Sequence, residues 1–532
     1  MKKISGLSLL CFVALCSCLL TAQVPVTTYQ YDNNHSGTNT QETILTPTNV
    51  NVSQFGRKTV FTVEGFVYAQ PLYLPNLTIG GTSHDVLFVA TEHDQLYAFD
   101  VNSGQQLWHT NFLAAGSGPL LVVSTVSSND VSCSDLVPEI GITGTPVIDT
   151  TTNTLYVSVE TKEYNPQTQS KAFRHRLHAL DITTGLDKVT PHGISAVVKG
   201  NGSGNLGGFI TFNTLLANQR PSLLLADGQV FVSWSSHCDL GNYHGWLMSF
   251  NKTSLAATGV ILDTPNGYEG GFWGGGSGPA ADTAGSIYTA TGNGSFDVNS
   301  GGIDYGDSVM RLTWSGSGIS IADYFTPWDQ QTLDDNDTDV NSGGVVLLPD
   351  QTGQYPHLLV QVGKEGTIDL INRDNMGHWH SGNDDQIVQT LPFVIGGIWG
   401  APAFWNNNAY FGGQYDHLKA FSFNPQTELL STGPTSTSPE SFAFPGPTPA
   451  VSSNGTTNGV VWIIESDNYN NGGNAILRAY NAQNLGSELY NSQQNAGRDQ
   501  AGLPVKFSVP TVADGHVFVG AQGQVSMYGL LQ

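Results

Sequence analysis

The sequence predicts an all-β chain folded as an eight-bladed β-propeller of four-stranded antiparallel blades, closed by an N-terminal strand. Three observations lead there. A single unit recurs eight times, each copy holds segments rich in β-branched and aromatic residues, and no convincing helical periodicity follows the first two dozen residues.

Each copy opens with a small residue and Pro, then a short apolar strand. The openings are "AQPLYLPN" (69), "GTPVIDTT" (144), "QRPSLLLADG" (219), "SGPAADTAG" (277), "SGGVVLLPD" (342), "GAPAFWNNN" (400), "PTPAVSSNG" (447) and "SVPTVADG" (508), the fifth lacking the Pro. Second strands follow as "DVLFVAT", "NTLYVSV", "GQVFVSW", "GSIYTAT", "PHLLVQV", "NAYFGGQ", "GVVWIIE" and "GHVFVGA". Third strands run into turns such as "LYAFDVNSG" and "LHALDITTG", where Asp and Gly supply a tight reversal. Four-stranded units arranged radially leave few exposed edges. The last copy ends at "VSMYGLLQ", too early for an outer strand, so "RKTVFTVEG" (57–65) is expected to supply it and close the ring. Copy spacing varies from about 47 to 75 residues. The insertions therefore fall in loops, which carry function on such scaffolds.

Bulk composition narrows the function classes. The chain has 532 residues, 62 Gly, 25 Pro and a net charge of -24. So acidic a surface repels phosphate backbones and anionic membranes, and no Lys/Arg cluster offsets it. Nucleic acid is not an expected partner. The start, "MKKISGLSLLCFVALCSCLLTAQ", reads as a cleaved leader over 1–23, with residues 24–532 as a single propeller domain, secreted or periplasmic. Lipoprotein anchoring through Cys18 is the alternative. No later stretch is long and apolar enough to span a membrane. After the leader only Cys133 and Cys238 remain, and an oxidising compartment would allow them to pair.

The turns "LYAFDVNSGQQLW" and "LHALDITTG" resemble the repeats of the propellers that bind pyrroloquinoline quinone (PQQ), a family holding alcohol and sugar dehydrogenases as well as non-catalytic scaffolds. More specific similarity lies within 139–376. "IYTATGNGSF" is similar to the stretch whose Asn coordinates Ca2+, which implies that role for Asn293. "GGFWGGG" resembles the segment bearing the Trp on which the quinone stacks, here Trp273. "YFTPWDQQTLDDNDTDVNSGGVVLLPD" is similar to the region of the catalytic base, which falls on Asp339. "VQVGKEGTIDLINRDNMG" resembles the stretch whose basic residue contacts the quinone oxygens, here Lys364. "LYVSVETKE" is similar to the strand ending in a Ca2+-binding Glu, here Glu163. The resemblance thus implies Glu163, Asn293 and Asp339 as metal ligands and Trp273 and Lys364 as cofactor contacts. Asp339 would also be the base. Such a set is chemically coherent: Ca2+ takes several oxygen ligands, an Asp can accept a hydroxyl proton, and a cation stabilises charge on a quinone oxygen. The substrate implied is a small alcohol or sugar.

The chain also departs from that pattern. Ser134 and Asp135 stand where many quinoprotein alcohol dehydrogenases have adjacent cysteines, Ile140 stands near an Arg position, and Thr338 replaces a Trp. The insertion "YNPQTQSKAF" follows Glu163, and there is no Cys-x-x-Cys-His for a c-type haem. Without the resemblance, Asn293 reads as a turn residue, Trp273 as a loop anchor, Glu163 as a solvated carboxylate and Lys364 as a hairpin-tip charge. A non-catalytic propeller binding protein or glycan partners is therefore the competing expectation. Two other motifs fail on context. "GSGNLG" (202–207) precedes no helix that could face a pyrophosphate, and 333–344 lacks the Gly and Glu of an EF-hand.

Overall fold

The computed structural model describes residues 23–531 except Ser117 and Pro119; the leader, Gln23 apart, lies outside the described residues. Eight antiparallel sheets form an eight-bladed propeller. In blade 1 the order from the axis outward is Leu72–Ile79, Thr82–Thr91, Gln95–Asp100 and Gln106–Asn111. The innermost strands of blades 2 to 8 are Val147–Asp149, Leu224–Ala226, Ala280–Ala281, Val346–Leu347, Ala403–Trp405, Ala450–Asn454 and Thr511–Ala513. Among the described residues the longest α-helix is Gln330–Asp335, and none could cross a membrane.

The apolar strands are explained by where their two faces go. One buried cluster lies between each pair of neighbouring blades. Val346 and Leu358 of blade 5 pack against Phe404 of blade 6, while Leu347 and Leu359, one residue on, pack against Tyr288 of blade 4. The period-2 alternation of a strand sends successive side chains to opposite neighbours. Both faces are therefore buried, and the strands read as continuous apolar runs.

The ring closes as the sequence predicts. Phe55–Phe66 pairs antiparallel with the last strand run, His516–Leu530, which bends at Gly523 (φ 70). Blade 8 thus takes its outer strand from the chain's beginning.

The preceding segment has a role that its sequence did not disclose. Residues 26–42 run along the axis and bond in turn to the inner strands of all eight blades. Val26 bridges to Tyr73, Thr27 O accepts from Ile148 N, and Asn33 Nδ2 donates to Leu225 O. Asn33 O, Asn34 O and Ser36 O accept from Ala281 N, Leu347 N and Phe404 N. Thr38–Asn39 then lies parallel to Ala450–Asn454, and Asn39 Nδ2 donates to Val512 O.

Phe61 on the closing strand is 2% exposed, its ring 5.1 Å from that of Phe99 in blade 1. Replacing Phe61 by Ala is expected to remove about 3–5 kcal/mol of stability. Urea denaturation measures this, and an unchanged midpoint would refute the closing role.

Candidate functional site

The residues that enter each inner strand surround the axis at one end and enclose a cavity. Trp273, Asp339 and Lys364 line it, with Arg220 and Asp239 of blade 3 and the rings of Trp399, Phe444 and Phe507 from blades 6 to 8. Asp135 completes the wall, beside the bond between Cys133 and Cys238, whose Cα atoms lie 5.7 Å apart.

Glycine is what lets Trp273 reach the axis. A Cβ on Gly275 (φ +57) would stand 2.2 Å from Trp399 O. At Gly292 a Cβ would stand 2.2 Å from Asp339 Oδ1 and 2.7 Å from Trp273 Cδ1. The buried Asp263 holds the loop by accepting from Gly271 N (2.6 Å) and Gly245 N (2.8 Å). Tyr243 meets Trp273 edge-on and donates to Asp239 Oδ1 at 2.7 Å.

Behind this wall stands the Thr-Gly-Asn turn. Asn293 N donates to Asp339 Oδ1 at 2.9 Å, and its Nδ2 donates to Asp337 Oδ1 at 3.0 Å. Its side-chain Oδ1 is buried without a partner. A buried carbonyl with nothing to accept is costly, and it is the kind of oxygen a hard cation takes. Lys364 Nζ lies 2.6 Å from Asp339 Oδ2 and 2.6 Å from Asp337 Oδ1. Burial disfavours the Lys364 charge, but Asp339 and Asp337 outweigh it and raise the pKa. Glu269 is pushed up to about 6 by burial and by the charges of Asp334, Asp239, Asp339 and Asp337. Asp239 is raised by burial and by Asp339 and Asp337.

Arg220 is the residue that sequence reasoning missed. It is 7% exposed, donates from Nη2 to Gly275 O at 3.1 Å, and stacks 4.6 Å over the Phe507 ring. Among the described residues no carboxylate lies within ion-pairing distance of it, and burial lowers its pKa to about 10. Lys506 likewise has aromatic neighbours, Tyr469 (5.2 Å) and Phe507 (5.6 Å); burial lowers its pKa against the charge of Asp135. A buried cation in the cavity wall without an ion-pair partner attracts an anion. The one clue in the sequence was an Arg inside a repeat opening, "QRPS".

Of the five expected residues, the structure gathers Trp273, Asn293, Asp339 and Lys364. Glu163 does not join them. It faces a different cavity, near Phe112 and His178 at the outer edge of blade 1, and bonds to Arg176 and Arg174. The hairpin continues past Glu160, with Glu163 opposite Ala172. Alternation then gives Glu163 the face of Val159 and Thr161. Besides Asp339, the carboxylates in the axial cavity are Asp135 and Asp239.

Beside the loop carrying Asp135 sit buried acids of blades 1 and 2. Burial and nearby Glu139 push Glu92 up to about 9, while Asp94, with both carboxylate oxygens unpartnered, is raised by burial and by Glu160, Glu139 and Glu92. Glu92 keeps its proton in the fold and loses it near pH ~4.3 when unfolded. Its contribution to stability is therefore complete below that value and lost as pH rises through about 9. The melting temperature is expected to fall from pH 5 to pH 9, and less steeply in Glu92→Gln. Parallel curves for the two proteins would refute this assignment.

No family model matches the chain, and no curated protein is similar in sequence. Solved structures do resemble it. A quinohemoprotein alcohol dehydrogenase from Comamonas testosteroni superposes with a TM-score of 0.60 at 13% identity, over 96% of this chain and 81% of that one. One from Pseudomonas putida HK5 gives 0.56 at 12%, over 95% and 80%. BamB from Moraxella catarrhalis gives 0.49 at 10%, over 89% and 99%. The likeness is one of fold alone, an eight-bladed propeller.

Proposed function

We propose that the axial cavity binds PQQ with Ca2+ and that the protein is an exported oxidoreductase acting on a small alcohol or sugar. The carrying observation is that Trp273, Asp339 and Lys364 line one cavity, with Asn293 hydrogen-bonded to Asp339 and its own Oδ1 unpartnered. These residues fit a flat anionic quinone. Trp273 offers an aromatic face, the Trp399, Phe444 and Phe507 rings narrow the site, and Arg220 is a buried cation without a counter-ion. They fit a hard cation in part, through Asn293 Oδ1 and Asp339, with Asp239 in place of Glu163 as the third oxygen donor. Bound PQQ would supply a hydride acceptor. Asp339, fixed between the Asn293 N–H and Lys364, takes the proton from the substrate hydroxyl. Lys364 and Arg220 balance negative charge that builds beside them. The Cys133–Cys238 bond supports export to a secreted or periplasmic location.

One observation favours the second reading, a non-catalytic propeller for protein or glycan partners. Glu163 is already held by arginines, and Asp339 already has both oxygens engaged.

Titration with PQQ in CaCl2 is expected to quench tryptophan fluorescence at one site per chain, and Arg220→Met to weaken binding about tenfold or more. Asp339→Asn should keep PQQ and lose about 10²–10⁴ of dye-coupled turnover. Absence of PQQ binding by calorimetry would remove the oxidoreductase reading and leave the second.

A further inference from the structure

A second cavity, of about 280 Å3, opens in blade 5 and shares Asp339 with the axial one. Its charged residues are of one sign only. Asp329, Glu365, Asp369 and Asp384 line it, and no Lys, Arg or His does. Lys364, next in the chain to Glu365, turns its Nζ to Asp337 and Asp339 instead. The rings of Trp328 and Phe393 stand at this cavity, 46% and 71% exposed. Phe393 holds a left-handed backbone (φ 55), a conformation that bulky residues rarely adopt.

The remaining polar group sharpens the picture. Gln361 is 1% exposed and lines the same cavity. Its Nε2 donates to Val340 O (2.7 Å) and Val362 O (3.0 Å), which fixes which end of the amide is nitrogen. Its Oε1 is buried and has no partner among the described residues. The threonine hydroxyls of the lining are already spent, Thr390 Oγ1 donating to Asp369 Oδ1 at 2.9 Å and Thr367 Oγ1 to Glu365. What the cavity offers is acceptors, two aromatic faces and negative charge.

We propose that this blade 5 cavity binds a small organic cation, an aliphatic amine whose N–H groups meet the carboxylates and Gln361 Oε1. An ammonium group donates only, which matches a lining that only accepts, whereas a sugar hydroxyl also needs donors. A cation is attracted to the faces of Trp and Phe. Among the described residues, the one set of three acidic, His or Cys side chains close enough to share an ion is Cys133, Asp135 and Cys238. The four carboxylates here are spread around the cavity rather than converging on a point, which suits a molecule and not a metal ion. Burial and mutual repulsion push Asp369 up to about 8 and Asp384 up to about 6, and an ammonium group beside them favours the carboxylate, acceptor-only form of both. This inference does not depend on PQQ.

Isothermal titration with putrescine in 0.15 M NaCl, which screens the acidic surface, tests it. One putrescine per chain should bind with a change in tryptophan fluorescence, while glucose and CaCl2 do not compete. Asp384→Asn and Trp328→Ala should each weaken binding about tenfold with the melting temperature retained, and Arg220→Met should leave it unchanged. Three results would overturn the proposal. Putrescine fails to bind at millimolar concentration, it binds both blade 5 variants as tightly as the parent, or CaCl2 or glucose displaces it.

Discussion

The rest of the structure depends on the axial strap, residues 26–42. Every blade of a propeller has an inner strand whose axial edge is unpaired, and eight such edges meet around a narrow channel. Unpaired backbone groups buried there would each be costly. The strap satisfies one blade after another, from Tyr73 in blade 1 to Val512 in blade 8. It also fixes the blades relative to one another, because one short covalent segment bonds to all of them. The closing strand Phe55–Phe66 follows directly, so the same stretch of chain fills the axis and seals the ring.

The functional end of the axis inherits its rigidity from that arrangement. Cavity residues sit at the entries to inner strands whose later residues the strap holds. Arg220 illustrates the link: Tyr29 of the strap is buried and feels its charge. Fixed supports of this kind can hold an uncompensated cation, a strained glycine loop and an orphan amide oxygen in one place. Around Asp339 the make-up of the lining changes over a short distance. The axial side carries Lys364 and Arg220 together with Asp135 and Asp239, whereas the charged residues on the blade 5 side are all acidic.

Much of this was legible in the chain, for identifiable reasons. The repeat shows because every blade must bury two faces and reverse direction tightly, so Pro, Asp and Gly recur at fixed places. The closing strand shows as one strand too few at the end and one too many at the start. Trp273, Asn293, Asp339 and Lys364 sit in short segments whose local geometry travels with their sequence. Glu163 was misjudged because its position hangs on how far a hairpin extends, and a shift of one residue reverses a side chain's face. Arg220 and Asp239 gave little signal, since their importance comes from what other blades place beside them.

The sequence by itself determined the propeller, its blade number, its closure and the turns that carry the candidate residues, because those follow from local periodicity and turn chemistry. Only the tertiary structure decided that four of five expected residues share one neighbourhood and that Glu163 faces a different cavity. It alone assigned the polar segment 26–42 to the axis and set an acidic cavity beside one of mixed charge. These are contacts between residues hundreds of positions apart. Their energies depend on burial and on neighbouring charge, which no local pattern encodes.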